Sequence, residues 1–322
     1  MNRGGRVLVT GAGGFVGRAV VAALVEAGRP VRAQLRRPAP LPPAVEAVRI
    51  EEIAAAGWHD VLQGVDGIIH LAARVHAEGA AAADEPAFLA INRDATARLA
   101  AAAAAAGVRR LVFASSVKAM GEASPPGGAL DEASPCRPGD PYGRSKRAAE
   151  LRLAEIAAGS ALEVAVLRPP LVYGPGVGAN FRRLLAAVDR GWPLPFGLVA
   201  NRRSLVYRGN LASALIAALD HPGAAGETFL VADGPPLATP ALIRRLAAAL
   251  GRPARLLPVP PGLLAAAGRL AGRGAAVERL LGDLAVDDRR LRARLGWVPP
   301  ATAEAGLAAT AGWWRAGADT RA

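Results

Sequence analysis

Arg6-Val-Leu-Val-Thr10-Gly11-Ala-Gly-Gly14-Phe15-Val16-Gly17 is the stretch that decides the fold. The apolar run Arg6 to Thr10 has the length and character of a parallel strand buried on both faces. The residues after the glycines place Val20, Val21, Leu24 and Val25 at helical spacing, and Gly28 closes that helix. Strand, glycine turn and helix in that order form a site for a dinucleotide pyrophosphate. Gly11 permits the tight turn, Gly14 lets the backbone approach the phosphates, and Gly17 lets helix lie on strand. The N–H groups of the helix start then face the anion. The spacing is Gly-x-x-Gly-x-x-Gly, a variant of the more familiar Gly-x-Gly-x-x-Gly.

The stretches that follow repeat the alternation of strand and helix. Pro30 to Leu35 predicts a second strand, and Arg36-Arg37 stand where an acid would otherwise hold the ribose of NAD. Two guanidiniums there suit the 2′-phosphate of NADP(H) through charge-assisted bonds, or form part of an Arg-rich solvated loop. Val45 to Ile50 predicts a third strand, with Glu52 and Ile53 beside the adenine at its carboxyl end, and residues 54–62 a short helix. Asp66 to His70 forms a fourth strand running into Leu71, Ala72 and Ala73, small enough for a cofactor to pass. His70 reads as a structural strand-end residue; Arg74 and His76 come where a substrate could reach them. One long helix is predicted from Asp84 to Ala106, with Asn92 and Thr96 its notable polar residues. A fifth strand, Arg109 to Ala114, delivers Ser115-Ser116 to the sheet edge where ligands bind, although such a pair also suits a cap or turn.

Residues 142–146 read Tyr-Gly-Arg-Ser-Lys and open a helical stripe through Ala149, Leu153 and Ile156. Tyr142 and Lys146 are four apart and share a helix face. An ammonium beside a phenol is expected to lower the phenol's pKa and ready it for proton transfer; a solvated helix face would carry the same pair. Of the 39 Lys and Arg residues only Lys118 and Lys146 are lysine, so a lysine one turn from a tyrosine stands out.

Length and composition limit the alternatives. A chain of 322 residues can bury a full core, and no apolar run is long enough to span a bilayer. A strand begins almost at once, which leaves no room for a signal peptide. Cys136 is the only cysteine, so neither an internal disulfide nor a Cys-based metal site is expected, and the location follows as cytoplasmic. The formal charge of +12 is spread along the chain without a basic tail, which suits small polyanions better than nucleic acid.

Together, Thr10-Gly11-x-x-Gly14-x-x-Gly17, His70-Leu-Ala-Ala73, Ser115-Ser116 and Tyr142-x-x-x-Lys146 resemble the extended short-chain dehydrogenase/reductases that act on nucleotide sugars. The resemblance implies an α/β fold, a doubly wound parallel Rossmann sheet with a smaller, interleaved C-terminal substrate lobe. Residues 1–170 with a return segment near 204–234 would bind the cofactor, and 171–203 with 235–322 would form the lobe. It implies Ser116 as the residue polarising the reacting oxygen, Tyr142 as acid and base, and Lys146 as the grip on the nicotinamide ribose. By the same resemblance the segment 168–176 crosses to the lobe, Asn180 and Phe196 lie beside the substrate's nucleotide, and Arg203 clamps its diphosphate. Arg279 and Asp283 are further substrate candidates, Trp297, Trp313 and Trp314 core or docking residues, and no metal is implied. A homodimer through the helices near 84–106 and 142–158 is expected.

The reaction is narrowed by what stands beside these residues. A 4,6-dehydratase of the family has an Asp-Glu pair where this chain has Val117-Lys118, and the epimerases usually have Asn where it has Leu171. Residues 115–122, 140–146 and 168–176 are most similar to a bacterial subgroup in surface-polysaccharide synthesis. That subgroup includes UDP-N-acetylquinovosamine dehydrogenases, which reduce a 4-keto-6-deoxy UDP-sugar, and members often labelled UDP-glucose 4-epimerase. The expected activity is an NADPH-dependent 4-keto reductase, with NAD(H) possible. A UDP-sugar 4-epimerase is the alternative, and a nucleotide-binding protein without catalysis a second one.

Overall fold

The computed structural model describes residues 5–75, 83–272 and 274–317. His76 lies outside the described residues. Strands β1 (Arg6–Thr10), β2 (Val31–Leu35), β3 (Val45–Arg49), β4 (Val65–His70), β5 (Arg110–Ala114), β6 (Glu163–Arg168) and β9 (Thr228–Leu230) form one sheet in the order β3-β2-β1-β4-β5-β6-β9. Every neighbouring pair in it is parallel. Val7, Leu8, Val9, Ile68, Ile69, Leu111, Val112 and Phe113 have no exposed surface, as central strands covered on both faces require.

One face of the sheet is covered by α1 (Phe15–Glu26) and α6 (Arg208–Asp220), through Val20, Val21, Leu24, Leu211 and Leu215. The other carries α3 (Thr96–Ala105) and α4 (Pro141–Ala158), through Leu99, Ala103, Ala149 and Leu153. Sequential strands run outward from β1 on one side and from β4 on the other. The carboxyl ends of β1 and β4 therefore bracket the crevice in which such sheets bind ligands.

The remaining helices pack as a second core. Helices α5 (Ala179–Asp189), α7 (Thr239–Leu250) and α11 (Ala303–Arg315) enclose Phe181, Leu185, Ile243, Leu246, Leu307 and Trp314. Helices α8 (Pro261–Leu270) and α9 (Gly274–Leu281) form a hairpin, and α10 (Arg289–Leu295) lies against the sheet. Trp297 and Trp314 are buried and bonded through their indole N–H groups to Ser213 Oγ and Asp189 Oδ2. No helix among the described residues is long and apolar enough to cross a membrane.

One expectation needs correction, and two features were not foreseen. Residues 54–62 do not form a helix. Two short turns, Ile53–Ala55 and Asp60–Leu62, flank Gly57 and the buried Trp58, and a glycine in mid-segment favours the break. The long helix expected from Asp84 to Ala106 is helical throughout from Glu85 to Ala105, but its winding changes along it: α2 (Glu85–Leu89), a π-turn at Ala90–Ala95, then α3. The crossing near residue 171 also contains strand β7 (Leu171–Tyr173), paired in parallel with β8 (Leu205–Tyr207) as a separate two-stranded sheet. Strands of three residues are too short to leave a periodic signal.

Candidate active site

The turn after β1 is built by exclusion of side chains. Gly11 has φ +64°, and a Cβ there would stand 2.9 Å from the Ala72 nitrogen, so β4's exit segment passes directly over it. A Cβ on Gly17 would lie 2.2 Å from the Gly11 carbonyl oxygen. Gly14 is extended, and no side chain caps α1. The first-turn N–H groups at Phe15, Val16 and Gly17 are thus presented at the sheet's carboxyl edge, where an anion can take them. Gln34 completes the turn: its Oε1 accepts from Gly11 N at 2.9 Å and its Nε2 donates to the Ile50 carbonyl at 3.0 Å. Sequence reading missed Gln34, and its only signal was an amide inside an apolar strand. This cradle fits a dinucleotide.

His70 is a structural residue, as expected. Thr10 Oγ1 accepts the N–H groups of Leu71 and Ala72, so its own proton turns to His70 Nδ1, 2.6 Å away. The other ring nitrogen then carries the hydrogen and donates to Thr96 Oγ1 at 2.9 Å. Burial, followed by repulsion from Lys146, lowers the imidazole to about 3, so the ring is neutral in use.

Ser116 and Tyr142 arrive from separate segments and meet. Ser116 follows β5 in extended conformation, and its Oγ accepts from Lys118 N at 3.2 Å, so it caps the turn Val117–Ala119 as well. Tyr142 sits in the first turn of α4, whose N-cap Asp140 accepts from Gly143 N at 2.6 Å. Burial disfavours the phenolate, the neighbouring Ser116 hydroxyl favours it, and the charge of Asp140 opposes it. Burial is the largest effect, and the phenol is pushed up to about 12. The expected lowering by Lys146 is therefore absent. Lys146 is itself 2% exposed and held 4.1 Å from the Phe113 ring centre, and burial brings its ammonium down to about 7.

Behind these groups lies a layer that fixes them. Asn92 Oδ1 accepts from Arg74 N at 2.8 Å, and its Nδ2 donates to the Arg74 carbonyl at 3.0 Å and to Ser145 Oγ at 2.9 Å. The Arg74 guanidinium stacks on Phe88 at 5.2 Å, and Phe88 meets the Tyr142 ring edgewise at 6.3 Å. Its Nε is buried with no partner among the described residues. Ser115 is turned away from Ser116 toward the core and donates to Glu150 Oε1 at 2.6 Å. Glu150 also receives Arg168 on both oxygens, at 2.9 and 2.6 Å. Spacing alone did not separate the two serines; the resemblance singled out Ser116.

The other candidates form two groups. Arg36, Arg37 and Glu52 are exposed near the carboxyl ends of β2 and β3, and Ile53 is half-buried; neither guanidinium is paired among the described residues. Leu71, Ala72 and Ala73 line the exit of β4 beside Gly11. Arg203 Nη1 donates to the carbonyls of Arg279 and Gly282 at 2.6 and 3.1 Å, and Arg279 reaches Glu122 at 3.3 Å. Asp283 accepts from Arg202 N at 2.8 Å, a structural bond. Phe196 packs at the edge of the second core, and Asn180 is exposed in the first turn of α5. Among the described residues no His, Cys, Asp and Glu cluster could hold a metal ion.

A hydroxyl pair beside a dinucleotide cradle can exchange a proton with a substrate oxygen. Known proteins resemble this chain over nearly its whole length. The chain is 38% identical over 309 residues to a protein of Vibrio cholerae named UDP-glucose 4-epimerase, covering 95% of this chain and 94% of that one. The solved structure of MoeE5 in complex with UDP-glucose and NAD superposes with a TM-score of 0.78 at 28% identity, over 97% of this chain and 99% of that one. The UDP-glucose 4-epimerase of Thermus thermophilus in complex with NAD gives 0.77 at 26% identity, with the same coverage. The model of the NAD dependent epimerase/dehydratase family matches residues 7–232. The chain belongs to the NAD-dependent epimerase/dehydratase family.

Proposed function

We propose that this protein is a nucleotide-sugar oxidoreductase that reduces the C4 ketone of a UDP-4-keto-6-deoxy-N-acetylhexosamine, with NADPH as the favoured cofactor. The observation that carries the reading is the convergence of the Ser116 and Tyr142 hydroxyls at the sheet's carboxyl edge, with Tyr142 keeping its proton up to about 12. A phenol held in its acid form is prepared to give a proton, as reduction of a ketone requires at its first step. The nicotinamide supplies hydride at C4 when bound. Tyr142 gives its proton to the oxygen as negative charge develops there, and Ser116 donates a hydrogen bond to the same atom. Lys146 is positioned to hold the nicotinamide ribose, and Gly11, Gly14 and Gly17 to admit the pyrophosphate.

Other residues support the same assignment. The unpaired pair Arg36-Arg37 suits a 2′-phosphate. The buried, unpartnered Nε of Arg74 suits an acceptor on the substrate. Arg203 and Arg279, with Asn180 and Phe196, are the residues for the substrate's diphosphate and nucleotide. Residues 1–170 with the return 204–234 would be the cofactor domain, and 171–203 with 235–322 the substrate lobe. A homodimer pairing through α2, α3 and α4 belongs to this reading and is checked by light scattering.

The second reading, a UDP-sugar 4-epimerase, is favoured by the 38% identical relative of that name. The two separate in one assay: consumption of NADPH and NADH with UDP-4-keto-6-deoxy-N-acetylglucosamine, scoring the C4 configuration of the product. Interconversion of C4 epimers without net consumption of reduced cofactor would replace reduction with epimerisation. Unchanged turnover in Tyr142→Phe would favour a protein without catalysis at this site.

A further inference from the structure

The side chain of Lys118 has no part in the site as built so far, although it is one of only two lysines in the chain. It lies two residues beyond Ser116, and its ammonium pairs with Asp140 Oδ2. Asp140 in turn lies two residues before Tyr142, and uses its other oxygen to cap α4 through Gly143 N. One ion pair therefore joins the two pieces of chain that carry the two hydroxyls. The pieces also touch through their backbones, since a Cβ on Gly143 would stand 2.3 Å from the Lys118 carbonyl oxygen.

We propose that Lys118 is a positioning residue for proton transfer at Tyr142: through Asp140 it holds the Ser116 and Tyr142 segments together and cancels the carboxylate charge that faces the phenol. The inference rests on the acid role proposed for Tyr142. An ordinary half-exposed ion pair would contribute little to stability and nothing to the phenol. This one differs in where its acid stands, because the charge of Asp140 opposes ionisation of Tyr142.

The other charged groups around Tyr142 are otherwise compensated. Glu85 of α2 and Arg144 of α4 pair at 2.7 Å. Arg74 lies over Phe88. Lys146 of α4 loses its charge near pH 7. Glu122 is shared between Lys118 and Arg279, each at 3.3 Å, so it remains balanced by one cation when the other is removed. Asp140 has only Lys118 among the described residues as a salt-bridge partner, while Arg144, engaged by Glu85, acts on it without direct contact.

The test reads the phenol directly. The full-length protein, with its tyrosine Cζ atoms labelled with carbon-13, gives three ring signals, and Tyr142→Phe identifies the one in question. Ionisation is followed at alkaline pH in Lys118→Arg, whose guanidinium keeps its charge where the phenol titrates, in Lys118→Met, and in each combined with Asp140→Asn. Asn keeps the helix cap while removing the charge. Lys118→Met is expected to leave about threefold less phenolate than Lys118→Arg at a fixed pH, equivalent to a rise of about half a pH unit for a partly screened charge. Asp140→Asn is expected to increase the phenolate in the Lys118→Met background and to remove the difference between the two Lys118 variants. The same Tyr142 signal in Lys118→Arg and Lys118→Met, or the same difference with and without Asp140, would overturn the proposal. The readout needs no substrate, so failure of the assigned reaction would show separately, as undiminished turnover in Tyr142→Phe.

Discussion

The Lys146 ammonium lies 4.1 Å from the centre of the Phe113 ring, inside the sheet-facing side of α4. The aromatic face offers it some electrostatic compensation, but burial dominates and takes the group from 10.5 to about 7. The unfolded chain binds this proton below about pH 10.5, whereas the folded chain refuses it until about pH 7. Stability is therefore lost as pH falls through that window and levels off below it. Lys146→Met removes the effect. In cofactor-free protein its melting temperature should exceed wild type by more at pH 7 than at pH 10, and an equal gap at both would contradict the assignment.

The glycine turn separates two kinds of glycine. In Gly17→Ala the new methyl would be forced to within 2.2 Å of the Gly11 carbonyl oxygen, so the backbone of the cradle must move. Cofactor affinity should fall more than about tenfold, since the turn no longer presents its N–H groups in place. Gly28→Ala meets nothing within 4 Å and suffers only from its φ of +67°. It should cost about 1–2 kcal/mol of stability and leave affinity unchanged. Calorimetric titration with NADP and NAD, beside thermal melts, checks both.

Glu150→Leu should be among the most damaging single changes. The carboxylate is 5% exposed and receives Arg168, itself 4% exposed, together with Ser115 and Arg147. Without it the Arg168 guanidinium is left buried beside no carboxylate. Removing one partner of such a pair costs about 3–5 kcal/mol. Urea denaturation should show the loss, with Glu150→Gln falling between.

The pair Arg36-Arg37 carries the cofactor prediction. Replacing both with Ser should weaken NADPH binding relative to NADH by about ten- to a hundredfold, the worth of one or two bonds to a charged group. The ratio of kcat/KM for the two cofactors is the measurement. An unchanged ratio would assign both residues to the solvated surface.

How much of this was legible beforehand follows from the range of each interaction. The strand–glycine–helix unit and the Tyr142–Lys146 spacing are local, and local periodicity revealed them. The role of His70 as a strand-end residue was readable for the same reason. The state of Tyr142 was not. The sequence spacing put an ammonium near the phenol, but the balance was decided by burial contributed by distant segments and by Asp140. Ser115 and Ser116 likewise differ only through Glu150 and Tyr142, which are 35 and 26 positions further along. The π-turn within the predicted long helix left no local signal either; its Asn92 bonds to Arg74 and Ser145, neither of which belongs to that helix.

The π-turn has a consequence for how the chain tolerates length changes. Six residues, Ala90 to Ala95, take the wider winding of a π-turn, the form an α-helix adopts when it accommodates one extra residue. Deleting a single residue there would restore uniform α-helical winding. It would also rotate Asn92 by about 100° relative to one of its flanking turns, withdrawing its amide from either the Arg74 backbone or Ser145. A shortened chain with a more regular helix would thus lose the strut connecting the floor of the crevice to the helix above it.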